Sequence, residues 1–212
     1  MKLKNNFIKL TKETRLYNLE IPILSITGGI STGKSSVARM LKDLGHAVIS
    51  ADQLVKDIYS QIETIEFVKL TCPEVVNNSN INFQILREIF FKNESLKLKI
   101  EHWIYPRLKD AFISKLNELK NPTHLFYEVP LLYERQLHAN FDLNILVYAN
   151  QETQIKRVIQ RDNVTEDSAR RVLSSQMDIE AKLGFADVII KNEDDIKKLK
   201  EEVETFLLKY FE

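Results

Sequence analysis

Residues 21–27 (IPILSIT) form a short apolar run with a proline near its start and glycines after it, a pattern that predicts a buried strand. Over residues 35–44, Val37, Met40, Leu41 and Leu44 recur at helical spacing, and Gly45 stands where a left-handed C-terminal residue is expected. Residues 46–51 (HAVISA) read as a second strand. The domain therefore opens as strand, glycine loop, helix, strand, a βαβ unit whose crossover is right-handed in a parallel sheet.

From residue 52 to about 120 the pattern turns helical, with a loop at 73–82 where Asn77, Asn78, Ser79 and Asn80 crowd together. Pro106 is expected to interrupt it, and Leu108, Phe112, Leu116 and Leu119 then resume helical spacing. A mostly helical insertion between strands is the economical reading. Strand-like runs return at 125–129 (LFYEV), 143–149 (LNILVYA) and 187–190 (DVII). Between the last two lies a charged helical pair, 152–161 and 166–176, with Thr165 as N-cap of the second and Glu166 and Asp167 in its first turn. A final helix from about residue 194 directs Ile196, Leu199, Val203, Phe206, Leu207 and Tyr210 to the core. Alternating strands and helices without repeats or low-complexity segments define an α/β class with a parallel sheet.

Residues 1–20 place Leu3, Phe7, Leu10 and Tyr17 at roughly helical spacing in a Lys-rich stretch. Glu13, Glu20 and the single Arg15 fit a targeting peptide poorly, so the expectation is a short appended helix or a frayed extension. No apolar run approaches the ~18 to 20 residues that span a bilayer, which makes a cytoplasmic location the expectation.

Composition changes the picture in three places. The 212 residues are 44% apolar, enough to bury a sizeable core, and 30 basic residues cancel 30 acidic ones, which argues against the one-signed surface of a broad nucleic-acid binder. A single cysteine, Cys72, excludes an internal disulfide framework and a multi-cysteine zinc site, and the four histidines lack metal-ligand spacing. Of only five glycines, Gly28, Gly29 and Gly33 fall within one short segment.

That segment, Gly28-Gly29-Ile30-Ser31-Thr32-Gly33-Lys34-Ser35, fits G-x-x-x-x-G-K-[ST], which a random chain of this length matches about one time in a hundred. A strand before it and an amphipathic helix after it complete the context. Small residues let consecutive backbone N–H groups converge on phosphate oxygens, and a helix N-terminus adds partial positive charge. Gly29, Ile30, Ser31, Thr32, Gly33, Lys34, Ser35 and Ser36 are thus candidate ATP-binding residues, with Lys34 reaching the β and γ phosphates and Ser35 offering its hydroxyl to Mg²⁺.

A phosphate loop names no reaction. No Asn-Lys-x-Asp guanine signature follows a later strand, and Leu173-Ser174-Ser175-Gln176 lacks the glycines of a transporter ATPase signature. Asp52 lies just past the second strand, at the sheet edge where open α/β folds bind ligands. There it could take the proton of an attacking hydroxyl or hold a metal-bound water; the plainer alternative is a cap for the following helix. Arg157 and Arg161 lie i, i+4 on one helix, with Arg170 and Arg171 on the next, as suits a lid that closes cations over a transferring phosphate; the alternative is a solvated face paired to Asp162 or Glu166.

Several separated motifs, in order, resemble the dephospho-CoA kinase family over residues 23 to about 207. They are Thr27-Gly28-Gly29-Ile30 running into Gly33-Lys34-Ser35, Val48-Ile49-Ser50-Ala51-Asp52, Leu86-Arg87-Glu88 with Phe91, and Val129-Pro130-Leu131-Leu132 followed by Glu134. Gln160-Arg161-Asp162, Gln176, Ala186-Asp187 and Asn192 continue the series. The resemblance implies a P-loop kinase fold with a five-stranded parallel sheet flanked by helices, a helical acceptor-binding insertion and a helical lid. It places the core at 21–59, 121–150 and 179–212, the acceptor domain at 60–120 and the lid at 151–178, behind a 1–20 extension. It also implies ATP-dependent phosphorylation of the ribose 3′-hydroxyl of dephospho-CoA, with Lys34, Asp52 and Arg161 catalytic, Arg157 on the nucleotide, and Asp52, Arg87, Pro130 and Leu131 toward the acceptor. A monomer or weak homo-oligomer is expected, with no nucleic-acid or membrane partner.

The chain departs from the family pattern at Ser31, where another glycine is usual, at Ser50, the first acid of an Asp-Ala-Asp, at Phe83 and Gln84, where paired arginines are common, and at Tyr105 of Tyr105-Pro106, usually His-Pro. Phe83, Gln84 and Tyr105, in place of polar contacts, keep open a kinase of the same fold with another acceptor, a small molecule or nucleoside. A non-catalytic ATP-binding regulatory module is the other rival, and retention of Lys34, Ser35, Asp52 and Arg161 argues against it.

Overall fold

The computed structural model describes residues 1–78 and 80–212, and Phe91 by its backbone alone, so Ser79 and the Phe91 side chain lie outside the described residues. Two compact units emerge, one formed by residues 1–50 and 120–212, the other by 51–119.

The first unit is built on a parallel sheet. β1 (Ile23–Gly28) is buried along its whole length, and the polar positions within it, Ser25 and Thr27, are small and buried with the rest. After the glycine loop comes α1 (Lys34–Asp43), and Gly45 has φ +86°, the left-handed C-terminal geometry expected there. Leu44, expected on the apolar face, caps the helix instead and is half exposed. β2 (Val48–Ser50) closes the opening unit but does not pair with β1.

The second unit is helical, with α2 (Ala51–Tyr59), α3 (Ile62–Thr71), a 3₁₀ turn at Pro73–Val75, and the two-residue antiparallel strands β3 (Val76–Asn77) and β4 (Asn80–Ile81). The 73–82 stretch therefore carries a small hairpin rather than a plain loop. α4 (Phe83–Lys92) follows, capped by the Asn82 side chain, and then α5 (Glu94–Asn117). α5 runs through Pro106 without interruption, contrary to expectation. Pro106 is exposed, its ring removes one backbone donor only, and the neighbouring Arg107 guanidinium donates to the Trp103 carbonyl at 2.9 Å. Ile58, Val68, Val75, Ile100 and the thiol of Cys72 form this unit's own core, and burial pushes that thiol up to about 11, as befits an inert cysteine.

Back in the first unit, β5 (Leu125–Glu128) inserts between β2 and β1, and β6 (Leu143–Tyr148) lies on the other side of β1. α6 (Gln151–Asp162) and α7 (Glu166–Leu173) form the charged pair, and Thr165 caps α7 as predicted by accepting from the Ser168 amide. A short α8 (Ile179–Leu183), β7 (Val188–Lys191) and α9 (Ile196–Tyr210) complete it. The strand order β2-β5-β1-β6-β7 is parallel throughout, with Ser25 opposite Asn144 and Ser50 opposite Glu128 in register. β1 is central, so the glycine loop leaves the middle of the sheet at its C-terminal edge. α1 and α9 share one core with the sheet, though Ile196 in the first turn of α9 stays exposed. Among the described residues, no helix is long and apolar enough to cross a membrane.

Residues 1–20 form no α-helix and are not frayed. Two 3₁₀ turns, Asn5–Phe7 and Leu16–Asn18, lie on either side of a stretch tied to the sheet by Arg15. Arg15 Nε sits 2.9 Å from Asp142 Oδ2, and both side chains are almost wholly buried. The carboxylate also accepts from the Lys9, Leu10 and Ile23 amides, so its lone pairs are filled. Farther along, Leu3 bridges Phe211 in antiparallel fashion, and the Lys2 amide donates to the Glu212 carbonyl at 2.8 Å.

Beneath this seam lie His46 and His124, both buried, with Nδ1 and Nε2 2.9 Å apart and Phe126 and Phe211 against the rings. Burial pushes both imidazoles below their usual range, and His124 falls to about 4 with help from the nearby His46. The unfolded chain therefore binds protons here first, so the stability from this pair is complete above about pH 6.5 and is lost as pH falls toward about 4. Urea unfolding is expected to show about 2 kcal/mol less stability at pH 5 than at pH 7 from this source, and less of a drop in His124→Gln. Equal drops in both proteins would assign the acid sensitivity elsewhere.

Candidate active site

The loop between β1 and α1 is held from three directions. Gly33 adopts φ +95°, and a Cβ there would meet Asn192 Nδ2 at 2.1 Å, so both backbone and space require glycine. Asn192, buried just beyond β7, donates Nδ2 to the Thr32 carbonyl at 2.8 Å. From α6, Arg157 donates to the Ser31 carbonyl at 3.3 Å and reaches Asn192 Oδ1 at 3.5 Å. Gln154, one turn before Arg157 and buried, lies so close to Gly29 that a Cβ on that residue would approach Oε1 to 2.5 Å.

Ser31, the residue in place of a family glycine, has φ +58°. The left-handed conformation costs a non-glycine residue on the order of 1 kcal/mol, so the loop carries a small strain that Arg157 holds in place. Ile30 points into the apolar cluster of Ile155, Val158 and Ala169, which anchors the loop to the α6–α7 pair.

Toward the sheet edge, Lys34 Nζ donates to the Gly29 carbonyl at 2.9 Å, folded back over the loop it would serve. Ser35 Oγ donates to Glu128 Oε1 at 2.7 Å. Glu128 is the buried carboxylate that ends β5, and it stands beside Ser50 in the sheet register. It thus supplies an acid at the sheet edge where Ser50 supplies none. Ser36 begins the helical hydrogen-bonding of α1 by donating to the Gly33 carbonyl.

A cleft of about 270 Å³ lies between Gly29 and Ile30 of the loop and the α6–α8 region, lined by Gln154, Arg170, Leu173, Gln176 and Met177 among others. Arg161 is engaged elsewhere, in a two-pronged pair with Asp162 at 2.7 Å for each contact. Pro130 and Leu131, half buried, follow β5 directly, and the Pro130 carbonyl lies 3.5 Å from Thr27 Oγ1. Asp52 and Arg87 belong to the second unit, exposed in the first turn of α2 and on α4. The structure therefore gathers the loop residues, Arg157 and the Pro130 turn in the first unit.

Glu128 and Gln154, which touch Ser35 and Gly29 of the loop, are residues that motif reading passes over. Glu128 did leave a signal, as a lone carboxylate closing an apolar strand at the C-terminal sheet edge; Gln154 left none beyond its place on the buried side of α6. Removing the Asn192 side chain leaves the Thr32 carbonyl unpaired and loosens Gly33. Asn192→Ala is expected to raise the KM for ATP about tenfold and to lower the melting temperature by several degrees, and an unchanged KM would refute its hold on the loop.

The family model for dephospho-CoA kinase matches residues 22–198. A Fusobacterium nucleatum dephospho-CoA kinase is 32% identical over 190 residues, 89% of this chain and 98% of that protein. Among solved structures, a Thermus thermophilus protein superposes with TM-score 0.79 at 25% identity, covering 89% of this chain and 97% of its own. The Campylobacter jejuni dephospho-CoA kinase structure gives 0.64 at 28%, covering 88% and 96%. Sheet, loop and sequence agree, and the chain belongs to the dephospho-CoA kinase family, enzymes of the final step of coenzyme A biosynthesis.

Proposed function

We propose that ATP binds with its phosphates in the 29–36 loop and that its γ-phosphoryl group passes in line to the ribose 3′-hydroxyl of dephospho-CoA. The observation that carries this reading is the loop itself: Lys34 within 2.9 Å of the Gly29 carbonyl, Ser35 on Glu128, and the helix N-terminus of α1 behind them. The donors present fit Mg²⁺, which takes few protein ligands and prefers hard oxygens. Ser35 and the buried Glu128 carboxylate would hold it, directly or through water. When bound, the ion neutralises phosphate charge.

In this reading the acceptor oxygen attacks the γ phosphorus, the bond to the bridging β-phosphate oxygen breaks, and Asp52 takes the hydroxyl proton. Lys34 and Arg157 hold the phosphates. Residues 151–178 act as a lid, and Arg161 leaves Asp162 to join the phosphates as it closes. Exchanging one exposed ion pair for another costs little, because exposed pairs contribute about 1 kcal/mol or less. Arg87, Pro130 and Leu131 contact the acceptor, with 60–120 as the acceptor domain and the sheet unit as the nucleotide core. The enzyme works in the cytoplasm as a monomer or weak homo-oligomer.

The test is purified protein with ATP, Mg²⁺ and dephospho-CoA, followed by ADP release. Acceptor-dependent ADP formation supports the assignment. Turnover with nucleosides alone would redirect it to another acceptor, and tight ATP binding without turnover would leave a regulatory module.

A further inference from the structure

Lys182 is the largest charged side chain wholly withdrawn from solvent, on the five-residue α8, and nothing in the phosphoryl-transfer scheme uses it. A buried ammonium is costly unless it meets an opposite charge. It meets Glu134, six residues past the end of β5, with Nζ 2.8 Å from Oε1. The geometry is that of an ion pair rather than an aligned hydrogen bond, and Glu134 Oε2 is buried with no hydrogen-bond partner among the described residues. The same Oε1 accepts from the Met177 amide at 3.1 Å. One carboxylate oxygen thus fixes two points of the segment that joins α7 to β7. Met177 and its neighbour Gln176 line the cleft that faces Gly29 and Ile30. Glu134 in turn follows the Pro130-Leu131 turn closely in sequence.

We infer that Glu134 and Lys182 are positioning residues that pin the base of the α6–α7 lid at Met177, so that the turn after β5 and the wall of the phosphate cleft keep one geometry as the lid closes. The inference rests on the reading of 151–178 as a lid. An apolar pair of similar volume would fill the same space without fixing the Met177 amide.

Two measurements decide it. The double variant Lys182→Met with Glu134→Leu removes both charges together, which spares the fold the uncompensated charge that either single change would leave. Its melting temperature is expected to stay near that of the wild type, while kcat falls about tenfold and the KM for ATP moves less than about threefold, since the loop contacts are untouched. A kcat within about twofold of wild type overturns the proposal. Hydrogen exchange on the unmodified protein without nucleotide gives an answer even if the double variant fails to fold. The Met177 amide is expected to exchange far more slowly than the first-turn amides of α7 at Glu166 and Asp167, which have no acceptor within the helix, and equal rates overturn the pin. Adding a non-hydrolysable ATP analogue separates the two readings. Exchange in 163–173 that ignores the analogue, with Met177 protected, refutes the lid and the pin's role with it; a nucleotide-sensitive lid with an unprotected Met177 refutes the pin alone.

Discussion

Asp52→Asn is expected to lower kcat about 10²- to 10⁴-fold, the range that a positioned general base contributes. The substitution is chosen because it separates the two roles open to this side chain. Asp52 stands in the first turn of α2, where a carboxylate also favours the helix N-terminus. Asp52 is the second residue of α2 rather than its cap, so asparagine costs the helix at most about 1 kcal/mol of favourable charge and cannot take a proton at neutral pH. A large loss of turnover with a melting temperature within a few degrees of wild type therefore belongs to proton transfer, whereas a lower melting temperature with ordinary turnover would leave Asp52 only its favourable charge in the first turn of α2, inside the helix rather than at the expected cap. ADP release at saturating ATP and acceptor, with a thermal melt alongside, reads both.

Lys34→Met should cost about 10²- to 10³-fold in kcat, comparable to the loss of one preorganised donor to a developing charge. In the structure the ammonium rests on the Gly29 carbonyl, an acceptor it would exchange for a phosphate oxygen. Methionine keeps the length and the apolar stem, so the loop folds but the point charge is gone. Lys34→Arg is expected to recover little, because a planar fork does not fit a cradle shaped around a compact cation. Turnover of Lys34→Met within about threefold of wild type would remove Lys34 from the phosphate site.

Much of this architecture is legible in the chain. The core strands show as short runs rich in aliphatic residues: β1 is buried at every position, with Ile23, Leu24 and Ile26 apolar and the small polar Ser25 and Thr27 between them, and β7 alternates buried with exposed positions. The loop shows because only small residues and glycine permit its backbone, and Gly33 has no room for a Cβ. Strand order is a different matter: β5 pairs with both β2 and β1 across the helical insertion, and nothing local in residues 48–50 says so. Local rules also mislead at Pro106, where the rest of α5 outweighs one lost hydrogen bond. α8 is too short for periodicity to reveal, and its Lys182 reads as surface by composition although it is buried against Glu134. The same holds for Arg15, whose partner Asp142 lies 127 positions away. Single charged residues in polar segments carry no mark of a distant partner.

The bridge between Leu3 and Phe211 sets an order on synthesis. Lys4 Nζ reaches the Lys209 carbonyl at 2.8 Å across 205 positions, so residues 1–4 cannot dock until α9 has been made. Contacts of such long range carry the greatest loop-closure cost and form late. Until then the face of α9 and the rings of His46 and His124 lack their cover from Leu3 and Phe211. The seam between residues 1–4 and 209–212 therefore needs both ends of the chain in place before it can close.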